Sequence, residues 1–287
     1  MNSTIKNYIS ITKPGIIRAN VMTAIAGYLL ASKSNINLSR MGWVIVSVTL
    51  IIASGCVINN ITDRNIDSKM NRTKRRPLIT GDISLSFALV YATIIGLLGF
   101  GMLIIKLNTL VVLIGLIGFT VYVGVYALAK RTTSFSTIIG SASGSMALVA
   151  GYCAVSGTFD AAAWLLLIIM TIWQMPHFYA ISIYASKDYK AAGIPIHSLA
   201  HGADATKRSI IGYIGAFIIS TVLLYAFGYT SLIYLVLVTS VGLYWLYKGI
   251  GGYKTVDDNK WAHQMFGYSL LSLLVFCLLI STNSIFK

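Results

Sequence analysis

Nine apolar runs of membrane-spanning length divide this chain and leave only short polar segments between them. They fall at 15–32, 42–60, 86–105, 109–129, 136–156, 162–184, 209–228, 231–249 and 265–284. A helix needs about 20 mainly apolar residues to cross the hydrocarbon core, and none of the runs alternates with the period of two that marks a strand. Composition agrees, with 56% apolar and only 10% charged residues among 287, whereas a soluble chain carries about a quarter charged. The expected fold is all-α, a polytopic membrane protein of nine transmembrane helices, with one domain over 1–287. The fifth run is the most polar, through Gly140, Ser141, Ser143, Gly144 and Ser145. Small residues let helices approach closely, so this run predicts an interhelical contact rather than a loop. The first run begins near Ile16 after a polar segment and is too long for a signal core, so it is expected to stay as a span. Cys56, Cys153 and Cys277 each lie in an apolar run without paired spacing, which predicts buried packing residues and neither disulfides nor zinc.

The net charge of +14 reads as topology and not as nucleic-acid binding, because Lys and Arg are retained in cytoplasmic loops. Putting the N-terminus and the even-numbered loops on one side gathers 18 of the 22 Lys and Arg there, leaving Lys33, Arg40, Lys106 and Lys287 opposite. The N-terminus is therefore expected in the cytoplasm and the C-terminus outside. Glutamate is absent, and of eight aspartates only Asp160 falls on the outer side. Acidic residues barely influence insertion, so their clustering points to a site.

Asn59, Asp63 and Asp67 stand four residues apart where the second run ends, and Lys69, Arg72, Lys74, Arg75 and Arg76 follow at once. Four-residue steps on a helix keep side chains on one face. An amide oxygen and two carboxylates converging there suit Mg²⁺, which takes hard oxygen ligands and shares its coordination with substrate phosphates. The neighbouring guanidinium groups supply charge-assisted bonds to such phosphates. The bland alternative, a solvated loop of positive-inside charges, explains the basic residues but not the Asn/Asp/Asp spacing. A second constellation closes the sixth run, Trp173-Gln174-Met175-Pro176-His177-Phe178-Tyr179, followed by Lys187-Asp188-Tyr189-Lys190. Pro176 predicts a kink, Gln174 and His177 are spaced to share a face, and Asp188 is a candidate for a second cation. A Pro-kinked packing helix and a surface ion pair are the plainer readings of the same residues. Tyr122, Tyr126, Tyr179 and Tyr184 fall at cytoplasmic span ends, as an interfacial belt would, with some available to stabilise a cation through their faces. His197, His201 and His263 are read as solvated loop residues, and Lys130 and Arg131 as positive-inside markers with a secondary chance of touching phosphate.

At these motifs the sequence resembles the intramembrane UbiA-type prenyltransferases, and within them the haem O synthases (protohaem IX farnesyltransferases). The resemblance runs over nearly the whole chain. It is carried by Thr12-Lys13-Pro14-Gly15, Ala53-Ser54-Gly55-Cys56, the Asn59/Asp63/Asp67 series, Arg72-Thr73, Arg76-Pro77, Trp173-Gln174-Met175-Pro176-His177, Lys187-Asp188-Tyr189 and Gly193-Ile194-Pro195. It implies helices around a central cavity and Mg²⁺ as cofactor at Asn59, Asp63 and Asp67, the catalytic motif, with Asp188 as a second metal carboxylate. It implies farnesyl transfer from farnesyl diphosphate to a vinyl group of haem B, giving haem O and diphosphate in a bacterial cytoplasmic membrane. Arg72, Arg76, Lys130, Arg131 and Lys187 are the expected diphosphate ligands, and His177 and Gln174 the expected haem contacts. Partners implied are haem B, farnesyl diphosphate, the bilayer, and haem A synthase or terminal oxidase assembly. The chain departs from the family at Ala147-Leu148, where a Pro-Pro pair is usual, at Ala185, where an Arg is common, and over 197–202.

Two other functions fit parts of the pattern. A quinone-type aromatic acceptor would keep the prenyl chemistry, but Trp173–His177 argues against it. A transporter or assembly subunit would also carry intramembrane polar groups and a Pro kink. Its charges belong near the midplane, and here they crowd at one surface.

Overall fold

A computed structural model describes residues 3–33 and 35–283 of the chain. Among these residues are nine helices long and apolar enough to cross a membrane: α1 (Pro14–Ser32), α2 (Leu38–Thr62), α3 (Leu85–Lys106), α4 (Thr109–Thr132), α5 (Ser136–Ser156), α6 (Ala161–Tyr184), α7 (Ala203–Ala226), α8 (Leu232–Lys254) and α9 (Asp258–Ser281). All nine overlap the expected runs. Ser284, the end of the ninth expected span, and Lys287, with the C-terminus, lie outside the described residues.

Polar start signals set most of the boundaries. The side chains of Asn37, Ser84, Asn108, Asp160, Ser231 and Asp257 each accept from the backbone N–H three residues on, opening α2, α3, α4, α6, α8 and α9. These caps satisfy donors that a helix start would otherwise leave unbonded. α7 and α9 begin about two turns before their apolar runs. Their polar first turns are held by Lys207, which is buried on α7 and pairs with Asp258 at 2.6 Å and Asp204 at 3.7 Å. Asp204, Asp257 and Asp258 thus have structural roles, which corrects the inference that the aspartates cluster for a single site. Asp160 is also accounted for, as a cap that accepts from Tyr152 Oη at 2.9 Å.

α6 packs on α5, α7 and α9, and α1 packs on α2, α5 and α9. The α1–α5 contact is a backbone approach. A Cβ on Gly27 would run into Leu148 O, and one on Gly151 into Ala24 O. α5 is therefore the packing helix that its small residues predict, and Ala147-Leu148 continue it without a break. α6 likewise runs unbroken through Pro176, so the kink expected there does not interrupt it. Cys56, Cys153 and Cys277 are buried and free. Large apolar side chains such as Leu97, Ile105 and Leu128 point outward, 70%, 74% and 70% exposed, as a lipid-facing surface requires.

The even-numbered connections gather at one end of the bundle. Asp188 reaches the backbone of Asn71 and Arg72, Arg131 reaches Thr62 O, Ser134 meets His201, and Lys207 meets Asp258. Most of the basic residues therefore share one face of the molecule. The helix Ser3–Ile11 lies at this end too, its Ile11 in a small core with Val57, Leu78, Ile83, Ala88 and Ala92, and Tyr8 set edge-on to Tyr91.

Candidate active site

The site is built where α2 gives out. Its helical bonding continues past Thr62, with Asp63 N donating to Asn59 O at 2.9 Å and Asp67 N to Asp63 O at 2.8 Å across the short helix Arg64–Asp67. The four-residue register of the three side chains therefore survives the helix end. Asn59, Asp63 and Asp67 are all buried, at 5%, 2% and 5% exposure. Asn59 Nδ2 donates to Asp63 Oδ2 at 2.8 Å. Two buried carboxylates need compensation, and cations arrive from three other segments. Lys130 of α4 pairs with Asp63, Arg76 pairs with Asp67, and Arg131 Nη2 stands 3.8 Å from Asp63 Oδ1. Lys13 donates to Asn59 Oδ1. Burial pushes the Lys13 ammonium down to about 8. Lys13 also holds a left-handed backbone, φ 55°, a conformation that costs a non-glycine residue on the order of 1–3 kcal/mol and collects at functional sites.

Asp63 Oδ1 is a buried acceptor with no hydrogen bond. The donors brought together are hard oxygens carrying two negative charges, which fits a small divalent cation. Next to them Arg72, Arg75, Arg76, Asn60, Ser10, Ile11 and Pro77 line a cavity of ≈ 230 Å³. Arg76 ties the cavity to the motif by donating to both Asn60 Oδ1, at 3.0 Å, and Asp67. Asn60 in turn donates to Ile11 O at 2.6 Å. Asp188 holds the loop that carries Arg72, its two oxygens accepting from Asn71 N and Arg72 N at 3.1 Å each. Lys187 beside it is exposed.

A π-helical stretch, Val121–Tyr126, interrupts α4 and carries a stacked pair, Tyr122 and Tyr126, 5.9 Å apart at 8°. Such wide turns collect at functional sites. The Tyr122 ring lies against Gly55 and the Tyr126 ring against Gly140, and a Cβ on Gly144 would collide with Gln174 Oε1. The small-residue stripe of α5 thus seats Tyr126 and Gln174. Gln174 is buried, and its Nε2 donates to Ser141 O, Ser145 Oγ and Met170 O. His177 is sandwiched between Trp173 and Phe266, ring centroids 5.1 and 4.7 Å away, with Nδ1 2.8 Å from Ser269 Oγ on α9.

A sequence profile of the UbiA prenyltransferase family matches residues 20–274. The chain belongs to the UbiA prenyltransferase family. It is 46% identical over 282 residues to "Protoheme IX farnesyltransferase 2" of Pseudomonas entomophila, covering 98% of this chain and 96% of the relative. It is 45% identical over 281 residues to the "Protoheme IX farnesyltransferase" of Pseudomonas syringae pv. syringae, covering 98% and 95%. Among solved structures it superposes on a digeranylgeranylglyceryl phosphate synthase with TM-score 0.81 at 20% identity, over 99% of both chains. It also superposes on a UbiA homologue from Archaeoglobus fulgidus, determined with GPP and Mg²⁺, with TM-score 0.73 at 17% identity, over 96% and 99%. At those identities the two structures establish the shared UbiA fold.

Within this UbiA chain the structure groups Asn59, Asp63, Asp67, Arg76, Lys130 and Arg131 by direct contact, and adds Arg72 and Asp188 through one loop. Gln174 and His177 lie deeper along α6. Lys13 and Asn60 carry no role in the sequence reading, although Lys13 belongs to the quoted Thr12-Lys13-Pro14-Gly15 motif, and Arg75 enters there only as one of the basic cluster facing phosphate. Of the three histidines expected as solvated loop residues, His201 is exposed, whereas His197 is half-buried and His263 is helical. His197 stacks on Tyr179 at 4.3 Å and has Nδ1 2.9 Å from Thr206 Oγ1. Burial, then His201, pushes its pKa down. His263 lies in the first turns of α9, exposed at its edge and stacked on Tyr184 at 4.0 Å.

Proposed function

We propose that this chain transfers the farnesyl group of farnesyl diphosphate to a vinyl group of protohaem IX, in an Mg²⁺-dependent reaction that takes up water and gives haem O and diphosphate. The observation that carries the reading is the buried Asn59–Asp63–Asp67 series, with its unbonded carboxylate oxygen, opening beside an arginine-lined cavity. The relatives named as protoheme IX farnesyltransferases, similar over nearly their whole length, support the choice of acceptor and donor.

Asn59, Asp63 and Asp67 would hold Mg²⁺, and Asp188 a second cation, since two of its roughly four lone-pair positions remain after its two backbone bonds. The metal supplies charge stabilisation to the departing diphosphate. Arg72 and Arg75 line the cavity that the diphosphate would enter, where fixed donors act without reorganising. Lys13, Lys130, Arg131 and Arg76 now neutralise the motif, and a cation on the same oxygens would release these side chains toward phosphate; Lys187 is the outermost of the set. The stacked Tyr122–Tyr126 pair would supply ring faces to stabilise developing allylic charge. An apolar groove of ≈ 580 Å³ begins one turn along α1 from Lys13, at Ile17, and continues past Val21, Met22 and Leu29 against Cys277 and Leu278 of α9. It suits an isoprenoid tail and keeps it from water.

The asymmetry of Lys and Arg supports a cytoplasmic N-terminus and a cytoplasmic diphosphate site in a bacterial inner membrane. Purified protein given farnesyl diphosphate, Mg²⁺ and haem B, with a quinone-type acceptor in a parallel reaction, tests the reading by product mass. Hydroxyethylfarnesyl addition to haem alone is expected, and prenylation of the quinone alone would refute the acceptor assignment.

A further inference from the structure

The acceptor end of the site turns on the position of one hydrogen atom. His177 Nδ1 and Ser269 Oγ are 2.8 Å apart, and taken alone either group could donate. Ser269 Oγ is also 2.6 Å from Phe266 O. A carbonyl oxygen carries no hydrogen, so only the serine proton can bridge that contact, and a hydroxyl has a single proton to give. The Nδ1 atom must therefore carry the hydrogen and donate to Ser269 Oγ. A neutral imidazole with its proton on Nδ1 has its lone pair on Nε2.

That Nε2 atom has no hydrogen-bond partner among the described residues, and it is absent from the buried polar atoms left without one. Trp173 and Phe266 cover the two ring faces, inclined at 25° and 32°. The Nδ1 edge is sealed by Ser269, which is 0% exposed. Phe178 stands edge-on at 5.2 Å, and of the two nitrogens of this half-buried ring Nε2 is the one left unpaired and accessible. Ser269 is anchored independently, since its carbonyl oxygen accepts from Trp173 Nε1 at 2.8 Å. A neutral imidazole with one nitrogen donating to the protein and the other free, in an aromatic slot, has the arrangement that metal-bound histidines adopt, and imidazole nitrogen is the common protein ligand of haem iron.

We propose that Ser269 is a positioning residue that holds His177 in the Nδ1–H tautomer, and that His177 Nε2 is the axial ligand of the iron in the porphyrin acceptor. The inference rests on the haem-acceptor reading of the site. It is tested with the whole purified protein in detergent, titrated with ferrous protohaem IX and followed by its Soret band and by the iron–histidine stretch in resonance Raman spectra. The native protein shows the histidine-ligated band. His177→Ala loses it and added imidazole restores it, while His177→Phe, which keeps a ring between Trp173 and Phe266, loses it as well. Ser269→Ala keeps haem bound but lowers the stretching frequency, because the imidazole loses its hydrogen bond, and Ser269→Thr restores the native frequency. The Trp173 bond survives both serine variants because its acceptor is backbone, so an effect on packing alone would leave the frequency unmoved. An unshifted band in Ser269→Ala, or a band retained in both His177 variants, overturns the proposal. Farnesyl transfer measured in parallel by product mass separates the two readings. Haem farnesylation with a band indifferent to His177 sinks the ligation alone, and the expected band pattern without any farnesyl product sinks the prenyl-transfer reading alone.

Discussion

Asp63 concentrates the chemistry of the site in one side chain. It is buried, bonded by Asn59, paired with Lys130, and left with one unbonded oxygen. Asp63→Asn keeps the shape and one acceptor but removes the charge, and is expected to lower Mg²⁺-dependent turnover on the order of 10²–10³-fold. Circular dichroism checks that the variant remains folded. Lys130→Met leaves the Asp63 carboxylate without its main partner, a change that costs about 3–5 kcal/mol for a buried pair. Its melting midpoint should fall in the absence of metal and recover with added Mg²⁺ more than the native protein gains, which calorimetry in detergent reads directly. Asp188→Asn should raise the Mg²⁺ concentration for half-maximal rate several-fold, and an unchanged titration would remove the second-cation role. The first motif was legible because carboxylates are scarce and its three members stand four residues apart in the sequence. Lys13 meets Asn59 across 46 positions and His177 meets Ser269 across 92, and no local spacing records such pairs. Asp204, Asp257 and Asp258 looked equally available in the sequence, and only the buried Lys207 and the start of α9 explain them.

Helices set the distances between these residues, and the glycines of α1 and α5 set the helices. Gly27 and Gly151 let the α1 and α5 backbones touch, while Gly140 and Gly144 admit Tyr126 and Gln174. Gly27→Ala and Gly151→Ala would each put a methyl group into a facing carbonyl, so each should destabilise the protein by about 1–3 kcal/mol, measurable as a lowered melting midpoint. Gly144→Ala meets the end of a side chain, which can move, and should cost less stability than either while shifting Gln174. Apolar length made all nine spans readable in the sequence. Their ends at α7 and α9 were not, because the buried Lys207 pairs with Asp204 and Asp258 and lets polar turns stay helical beyond the apolar run. The π-helical turn carrying Tyr122 and Tyr126 left no sequence signal either, since its residues are ordinary apolar and aromatic ones.

At the scale of the whole molecule, one end of the UbiA bundle carries the basic loops, the acidic motif and the arginine cavity, and an apolar groove runs along α1. In the proposed function the charged end would take the leaving group and the groove the lipid-like tail. That polarity also predicts orientation. Reporter fusions in the segment after Asp67 should read cytoplasmic and fusions between α1 and α2 external, and the reverse pattern would move the site to the other side of the membrane. The family and its fold were legible from the motifs, and His177 was singled out there too, while its pairing with Ser269 across the α6–α9 seam emerged only from the three-dimensional contacts. The central claim is that the Asn59–Asp63–Asp67 motif drives farnesyl transfer to haem, and the mass of the porphyrin product tests it most directly. Native protein with Mg²⁺ and farnesyl diphosphate should convert haem B to a species heavier by one hydroxyethylfarnesyl modification, and Asp63→Asn should do so on the order of 10²–10³-fold more slowly. Haem B recovered unchanged from the native protein, or converted equally well by Asp63→Asn, would contradict the account.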